Sequence, residues 1–263
     1  MTRRSSVPSS RINRLYRLGK IATGIAGGAI HEGTKRLLRG DMPAASELVL
    51  TPANARRITN QLSEMRGAVM KIGQLLSMEA GDLLPAELTD ILSGLRDSAH
   101  SMPQQDVDAI LERAWGENWR SRFKLFNDQA FAAASIGQVH EAVDLDGRRL
   151  AIKIQYPGIA RSIDSDVKNA ASLLKLFRLI PDSLDIQPLL ETARQQLHDE
   201  ADYKLEADYI NRYRQQLDPY TSFDFPEVID ELTCANVLCM TFVEGDNIET
   251  LRQTPSNTRD RIA

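Results

Sequence analysis

Two segments of this chain have residue types and spacing suited to phosphate chemistry. The segment LAIK, residues 150–153, has the form of the kinase strand motif V-A-I-K, in which a strand holds a lysine against nucleotide phosphates. Further along, the apolar period predicts one long helix over residues 186–217, with a dense acidic run at 198–208. Asp202 and Glu206 would share a face there, and a lysine, a metal ion or nucleotide-bound magnesium would relieve their repulsion. The plain alternative is a solvated helix face.

The lysine lies near the end of a predicted β-hairpin. Apolar residues alternate on the far side of Asp146-Gly147, and further apolar residues precede it, which is a good signal for two antiparallel strands and a tight turn. Lys153 would stand near the end of the second strand. The stretch that enters the first strand, residues 131–137, is rich in alanine where a kinase would carry glycines.

A second pair of polar residues precedes the hairpin, on a helix predicted to begin with a Thr-Pro pair at residue 51. Apolar residues over 58–76 recur at three- and four-residue steps, which indicates a buried stripe. Lys71 and Gln74 share a face beside this stripe, and periodicity alone favours an ordinary exposed pair. Gly73 argues against that interpretation, because glycine inside a helix costs about 1 kcal/mol relative to alanine. A close approach by another backbone would explain it.

The composition excludes several classes of protein. Neither Cys234 nor Cys239 lies in a C-x-x-C spacing, and with four scattered histidines they form no metal-ligand cluster, so no protein-held metal is predicted and a reducing cytosol fits. No apolar run reaches the ~20 residues that span a bilayer. The first 40 residues carry nine Lys and Arg against one Glu, although the whole chain has a net charge of −4. Such an arm suits an anionic membrane surface, or is a solvated amphipathic helix. Nucleic-acid binding is not expected, because the arm has little aromatic interleaving.

The order of these elements is that of a protein-kinase small lobe. The lysine strand is followed by the acidic helix and by two strand-like runs, at 228–229 and at 236–243, the second of which ends in Glu244-Gly245. A carboxylate from the helix must hold the strand lysine, and the final segment would be the hinge whose backbone binds adenine. We therefore predict an α+β fold: a protein-kinase-like small lobe of antiparallel sheet and helices, preceded by a helical N-terminal extension.

Three motifs in this order resemble those of the UbiB/AarF family of atypical kinases. The segment KIGQ at 71–74 matches the KxGQ motif of the family, AAAS at 132–135 matches its alanine-rich loop, and EAD at 200–202 matches its ExD motif. The basic arm is also similar to the N-terminal region of this family. The similarity runs from about Arg11 to the last residues.

The resemblance implies an active site that binds ATP and Mg²⁺. Lys153 is similar to the phosphate-contacting lysine of the family, and Glu206 to the helix glutamate that pairs with it. Lys71 and Gln74 resemble a pair that is laid over the active site, which would obstruct peptide substrates and favour ATP hydrolysis or a small or lipid-related acceptor. The residues implied in catalysis are Lys153, Glu206, Lys71, Gln74, Glu200 and Asp202, and those implied in cofactor binding are Ala132, Ala133, Ala134, Ser135, Ile136, Gly137, Lys153, Met240 and Val243.

Four regions are predicted along the chain. They are a basic amphipathic arm (1–50), a helical KxGQ subdomain (51–117), a kinase-like small lobe with inserted helices (118–245) and the start of a large lobe (246–263). The catalytic-loop Asp, its Asn and a DFG-type Asp of such a kinase would lie in the large lobe, and no such pattern follows the hinge. We therefore expect this chain to lack the large lobe and the main magnesium ligands, and to be inactive alone.

The resemblance implies the N-terminal portion of an atypical kinase or ATPase of ubiquinone (coenzyme Q) biosynthesis. The alternative is a catalytically incomplete membrane- or protein-binding module made of the regulatory helices and the small lobe. We expect ATP as a ligand and a cytoplasmic location with peripheral membrane association. Further expected partners are an anionic membrane surface, a lipid or quinone-pathway component and a second copy of the chain.

Overall fold

The computed structural model of the chain describes residues 62, 63, 65–80, 89, 93, 101–176, 185–217 and 224–245. Three predictions fall outside these residues: the basic arm, the Thr-Pro start of the first helix and the start of a large lobe. The described helices are α1 (Arg66–Ala80), α2 (Gln104–Trp115), α3 (Ile159–Leu176), α4 (Gln187–Glu200) and α5 (Tyr203–Leu217), and the described strands are β1 (Phe123–Phe126), β2 (Ala132–Ala133), β3 (Gly137–Asp144), β4 (Arg149–Gln155) and β5 (Val237–Thr241).

The helices follow the apolar periods of the sequence. On α1, Val69, Ile72 and Leu76 are fully buried, as the predicted stripe requires. Helix α2 ends at Gly116, whose φ of 90° lies in the left-handed region that glycine adopts most easily. The backbone N–H of this glycine donates to the carbonyl oxygen of Glu112 and closes the last turn.

The strands form one antiparallel sheet in the order β1-β3-β4-β5, and β2 also pairs with β3. The predicted hairpin is confirmed as β3 and β4, with Gly147 in the turn at φ 90°. Lys153 of β4 stands opposite Val139 on one side and opposite Leu238 of β5 on the other. The lysine is therefore on a central strand of the sheet.

Alternation along β4 sends its side chains to two different cores. Ile152 and Ile154 are fully buried in the core that α2 and the aromatic residues near β1 cover. Lys153 lies between them and points to the opposite face, because successive side chains of a strand alternate. On that face α1, α3, α4 and α5 pack in a second core, together with Leu238.

The structure corrects two predictions. The helix predicted over 186–217 is two helices, because the carboxylate of Asp202 accepts hydrogen bonds from the N–H groups of Lys204 (3.1 Å) and Leu205 (3.3 Å) and so caps α5. Asp202 and Glu206 are therefore not two residues within one continuous helix. The strand-like run at 228–229 is a single bridge to β5, and the 3₁₀ helix Asp230–Leu232 follows it.

Candidate functional site

Lys153 forms the central ion pair of the site. Its Nζ atom lies 2.7 Å from each carboxylate oxygen of Glu206, which is 53 positions away in the sequence. Strand β4 presents the lysine to the helical face, and the first turn of α5 presents the glutamate. Only 16% of the lysine side chain and 31% of the glutamate side chain are exposed, so water screens this pair less than a surface pair. A strand lysine and a helix carboxylate are thus paired.

An aromatic ring completes the surroundings of Lys153. Tyr203 is the first residue of α5 and lies three positions before Glu206, on the same helix face. Its side chain is fully buried, and Lys153 Nζ lies 4.7 Å from the ring centroid, within the range of cation–π attraction. Burial, with the nearby charge of Glu206, raises the pKa of the phenol above its ordinary value, so the ring stays neutral. Tyr203 is not among the predicted site residues, although its spacing to Glu206 is a usable signal.

Lys71, Glu200 and Ser135 link three separate parts of the chain. Lys71 on α1 forms an ion pair with Oε1 of Glu200 at the end of α4. The hydroxyl of Ser135 donates to Oε2 of the same carboxylate at 2.9 Å. The lysine of the KxGQ motif, the glutamate of the ExD motif and the alanine-rich segment therefore meet at one carboxylate.

A glycine of α1 lets the alanine-rich segment approach this helix. A side-chain carbon at Gly67 would lie 3.0 Å from Cγ2 of Ile136 and 3.3 Å from the carbonyl oxygen of Ser135. Because these separations are shorter than ordinary van der Waals contact, alanine at this position would push the segment away. A close approach by another backbone was expected at Gly73. The structure shows such an approach at Gly67. Gly73 is buried, and the need for a glycine at that position stays a prediction.

These groups line a cavity of about 540 Å³. Its volume lies in the range of small-molecule binding sites. The walls come from α1, the alanine-rich segment, β4 and the adjoining parts of α4 and α5. The lining residues are Met70, Lys71, Gln74, Ala133, Ala134, Ser135, Lys153, Asp199, Glu200, Glu206 and Tyr209. Eight of them were expected from the sequence, and Met70, Asp199 and Tyr209 were not.

Six residues named in the sequence analysis lie outside this lining: Ala132, Ile136, Gly137, Asp202, Met240 and Val243. Ala132 pairs with β3 as part of β2, and Ile136 is 1% exposed in the helical core. A side-chain carbon at Gly137 would lie 2.4 Å from the carbonyl oxygen of Ile154, so this glycine permits close packing of β3 against β4. Asp202 caps α5 and so orients Glu206, which does line the cavity.

The segment after β5 is tied to β4 by an arginine. Arg149 forms an ion pair with Glu244, and its guanidinium carbon lies 4.4 Å from the centroid of the Phe242 ring. Met240 is half-buried on β5, and Val243 is 46% exposed. A role of these last two residues in adenine binding stays a prediction.

Within the described ranges, no group of three or more His, Cys, Asp and Glu side chains could hold a metal ion. Glu200 and Glu206 are each already paired with a lysine. Among the helices that the structure describes, none is both long and apolar enough to cross a membrane.

The antiparallel sheet, the pair between Lys153 and Glu206 and the alanine-rich segment beside the cavity define a protein-kinase-like small lobe. Residues 94–263 match the ABC1 atypical kinase-like domain. The chain belongs to this family of atypical kinases, and the predicted resemblance to UbiB/AarF proteins is confirmed.

Relatives match almost the whole chain. It is 39% identical to "Atypical kinase COQ8, mitochondrial" of Saccharomyces cerevisiae over 259 residues, which is 98% of this chain and 52% of that protein. It is also 39% identical to "Atypical kinase coq-8, mitochondrial" of Caenorhabditis elegans over 264 residues, or 98% of this chain and 35% of that protein. The solved Rv3197–erythromycin complex from Mycobacterium tuberculosis aligns with a TM-score of 0.50 and 30% identity, over 88% of this chain and 56% of that chain. The chain therefore spans about half the length of the relatives it matches, or less.

Proposed function

We propose that this chain is the N-terminal portion of an ATP-binding atypical kinase or ATPase that serves ubiquinone biosynthesis. The observation that carries the proposal is the pair between Lys153 and both carboxylate oxygens of Glu206 on the wall of the cavity. The relatives' names, which describe atypical kinases, support it. The link to ubiquinone comes from the family resemblance.

Lys153 is the residue assigned to the nucleotide phosphates. Glu206 keeps the ammonium group of Lys153 at a fixed place. This matters because phosphoryl transfer depends on positioning and electrostatic stabilisation. Ala133, Ala134 and Ser135 would cover the phosphates. Met240 and Val243, together with the backbone near them, would bound the adenine.

The charge of the cavity favours a nucleotide that brings a cation with it. Lys71 and Lys153 stand against Asp199, Glu200 and Glu206, so carboxylates outnumber ammonium groups on the wall. A triphosphate would be repelled unless magnesium accompanied it or unless it displaced Glu200 from Lys71. The described residues do not themselves form a magnesium site.

Lys71 and Gln74 limit which molecule could accept the phosphoryl group of ATP. Both residues line the cavity from α1, and the space is sized for a small molecule. A folded or extended peptide acceptor would have to displace this helix. We therefore favour ATP hydrolysis, or transfer to a small or lipid-related acceptor.

ATP binding by Lys153→Met tests the proposal. The variant keeps an aliphatic stem and loses the ammonium, so calorimetry with magnesium should show ATP affinity lowered by about tenfold or more, because a hydrogen bond to a charged group contributes about 1.5–3 kcal/mol. Lys168→Met, on an exposed position of α3, is the matched control and should bind ATP like the wild type. Equal affinities in the wild type and in Lys153→Met would refute the assignment of Lys153.

We also propose that the basic arm holds the protein at the cytoplasmic face of an anionic membrane. The support is the nine Lys and Arg against one Glu in the first 40 residues. Binding to anionic vesicles should be strong at low salt and weak at high salt, and no sedimentation with vesicles at low salt would refute it. Vesicle binding without ATP binding would favour the alternative of a membrane- or protein-binding module. A lipid or quinone-pathway partner and a homodimer are further proposals, and light scattering would test the dimer.

A further inference from the structure

Tyr203 lies beside Lys153, and the proposed function gives it no role. Its side chain is fully buried in the helical core, and its backbone N–H donates to the carbonyl oxygen of Ala235 at 3.3 Å. The cap at Asp202 comes immediately before it. The start of α5 therefore fixes the places of Tyr203 and, one turn later, of Glu206.

The hydroxyl of Tyr203 does not account for its position. Among the described residues this hydroxyl has no hydrogen-bond partner. It packs against β3, where a side-chain carbon at Gly137 would lie 2.4 Å from the carbonyl oxygen of Ile154 and 2.8 Å from the tyrosine oxygen. Burial also raises the pKa of the phenol, so it carries no charge to offer the lysine. Tyr203 therefore acts on Lys153 through a neutral aromatic ring.

One turn of α5 thus contacts the Lys153 ammonium with two different groups. The carboxylate of Glu206 is 2.7 Å away, and the centroid of the Tyr203 ring is 4.7 Å away. A phosphate that competes for the ammonium must weaken its ion pair with Glu206 and is itself repelled by that carboxylate. The ring keeps its attraction for the ammonium and adds no such repulsion, because it is neutral.

We propose that Tyr203 is a positioning residue: its ring keeps the Lys153 ammonium at the cavity wall while the ammonium, still held by Glu206, contacts a phosphate. The inference rests on the proposed function for the identity of the ligand. Gly137 makes room for the Tyr203 side chain, because a larger residue there would collide with both the β4 backbone and the tyrosine. This gives Gly137, the last residue of the alanine-rich segment, a packing role that is separate from any contact with a nucleotide.

Lysine NMR tests the ring contact without ATP. Protons over the face of an aromatic ring resonate upfield, so in protein labelled with ¹³C at the lysine ε position the Lys153 signal should stand upfield of the other lysines. Its loss in Lys153→Arg assigns it. Tyr203→Phe should keep the displacement and Tyr203→Leu should abolish it. A Lys153 signal without displacement in the wild type would overturn the proposal, even if Tyr203→Leu failed to fold.

ATP affinity then tests what the contact does. Tyr203→Leu should weaken ATP binding about five- to thirtyfold, which corresponds to about 1–2 kcal/mol of cation–π attraction, whereas Tyr203→Phe should stay within about twofold of the wild type. Phe123→Leu removes a buried aromatic ring from the other core and is the matched control for lost stability. Equal weakening by Tyr203→Leu and Phe123→Leu would overturn the positioning role. If instead Lys153→Met binds ATP like the wild type, the proposed function fails. The NMR experiment still shows whether the Lys153 ammonium contacts the Tyr203 ring.

Discussion

Lowering the pH from about 7.5 to about 5.5 should destabilise this protein through His140, which is fully buried. Its Nδ1 atom lies 2.8 Å from the carbonyl oxygen of Asn127, which can only accept, so Nδ1 carries the proton. Its Nε2 atom lies 2.7 Å from Nε2 of Gln138, which donates because the oxygen of the same amide accepts from the N–H of Met102 at 2.6 Å. The imidazole is therefore neutral, and both of its nitrogens are occupied.

A second proton on His140 has no acceptor in this network. It would set two donors against each other, and turning the Gln138 amide would only move the conflict to the N–H of Met102. Burial lowers the pKa of His140 below its ordinary value, against the opposing effects of the Asn127 hydrogen bond and the Asp128 charge. The neutral His140 therefore contributes its full stabilisation of the folded state above the unfolded-chain pKa of about 6.5. This stabilisation is lost as the pH falls below that value. The loss at pH about 5.5 is at most about 1.4 kcal/mol, which is the protonation free energy that the histidine of the unfolded chain gains one pH unit below its pKa.

Urea unfolding followed by tryptophan fluorescence measures this loss. The centroid of the Trp119 ring lies 4.8 Å from that of the Phe126 ring. The Phe126 ring stacks on the His140 imidazole, with 5.2 Å between their centroids. We expect the free energy of unfolding to be lower at the acidic pH by up to about 1.4 kcal/mol, and His140→Gln to lose most of this dependence. His198→Gln changes a partly exposed histidine of α4 and leaves the His140 network intact, so this variant should keep the pH dependence. Equal stability of the wild type at both pH values, or an undiminished fall in His140→Gln, would refute the reasoning.

Three further changes test separate parts of the structure by chemical denaturation. Asp202→Ala should lower the free energy of unfolding by about 0.5–2 kcal/mol, and Asp202→Asn, which can still cap α5, should not; an equal loss in both would contradict capping. Burial acts to raise the pKa of Asp144, but hydrogen bonds from Arg148 and Asp146 outweigh it and lower the pKa. The wild-type advantage over Asp144→Ala should therefore hold above about pH 4 and vanish as the pH falls further; an advantage that persisted would contradict this. Ile152→Ala should cost about 2–5 kcal/mol, and a loss below this range would contradict its full burial.

Local rules predict the lysine strand well, because the interactions that form it are local. The turn at Asp146-Gly147 and the alternation along β4 are enough to send Lys153 away from Ile152 and towards the helices. The pairing with Glu206 crosses 53 positions, and there the order of elements and the resemblance carried the prediction. The contact of Lys71 with Glu200 could not be derived from periodicity, which favoured an ordinary exposed lysine.

The helix that was predicted as one element shows where two local rules conflict. The apolar period continues through residues 201 and 202, so periodicity favours an uninterrupted helix. Asp202 is also a strong N-cap residue, and in the structure this second rule determines the outcome. Tyr203 was overlooked for a related reason, since an aromatic residue on an apolar helix face is ordinarily part of the core. Its ring does pack in the core and contacts the lysine as well.

The two lysines of the cavity are equally buried but are held differently. Lys153 has both oxygens of Glu206 and the Tyr203 ring, all from one turn of α5. Lys71 has one oxygen of Glu200, whose other oxygen accepts from Ser135 of the alanine-rich segment. A ligand that moves this segment must break or reorient the bond from Ser135, and the same carboxylate then becomes freer to leave Lys71. The ion pair of Lys153 comes from α5, so movement of the segment alone would change the contacts of Lys71 and leave the pair of Lys153 with Glu206 in place.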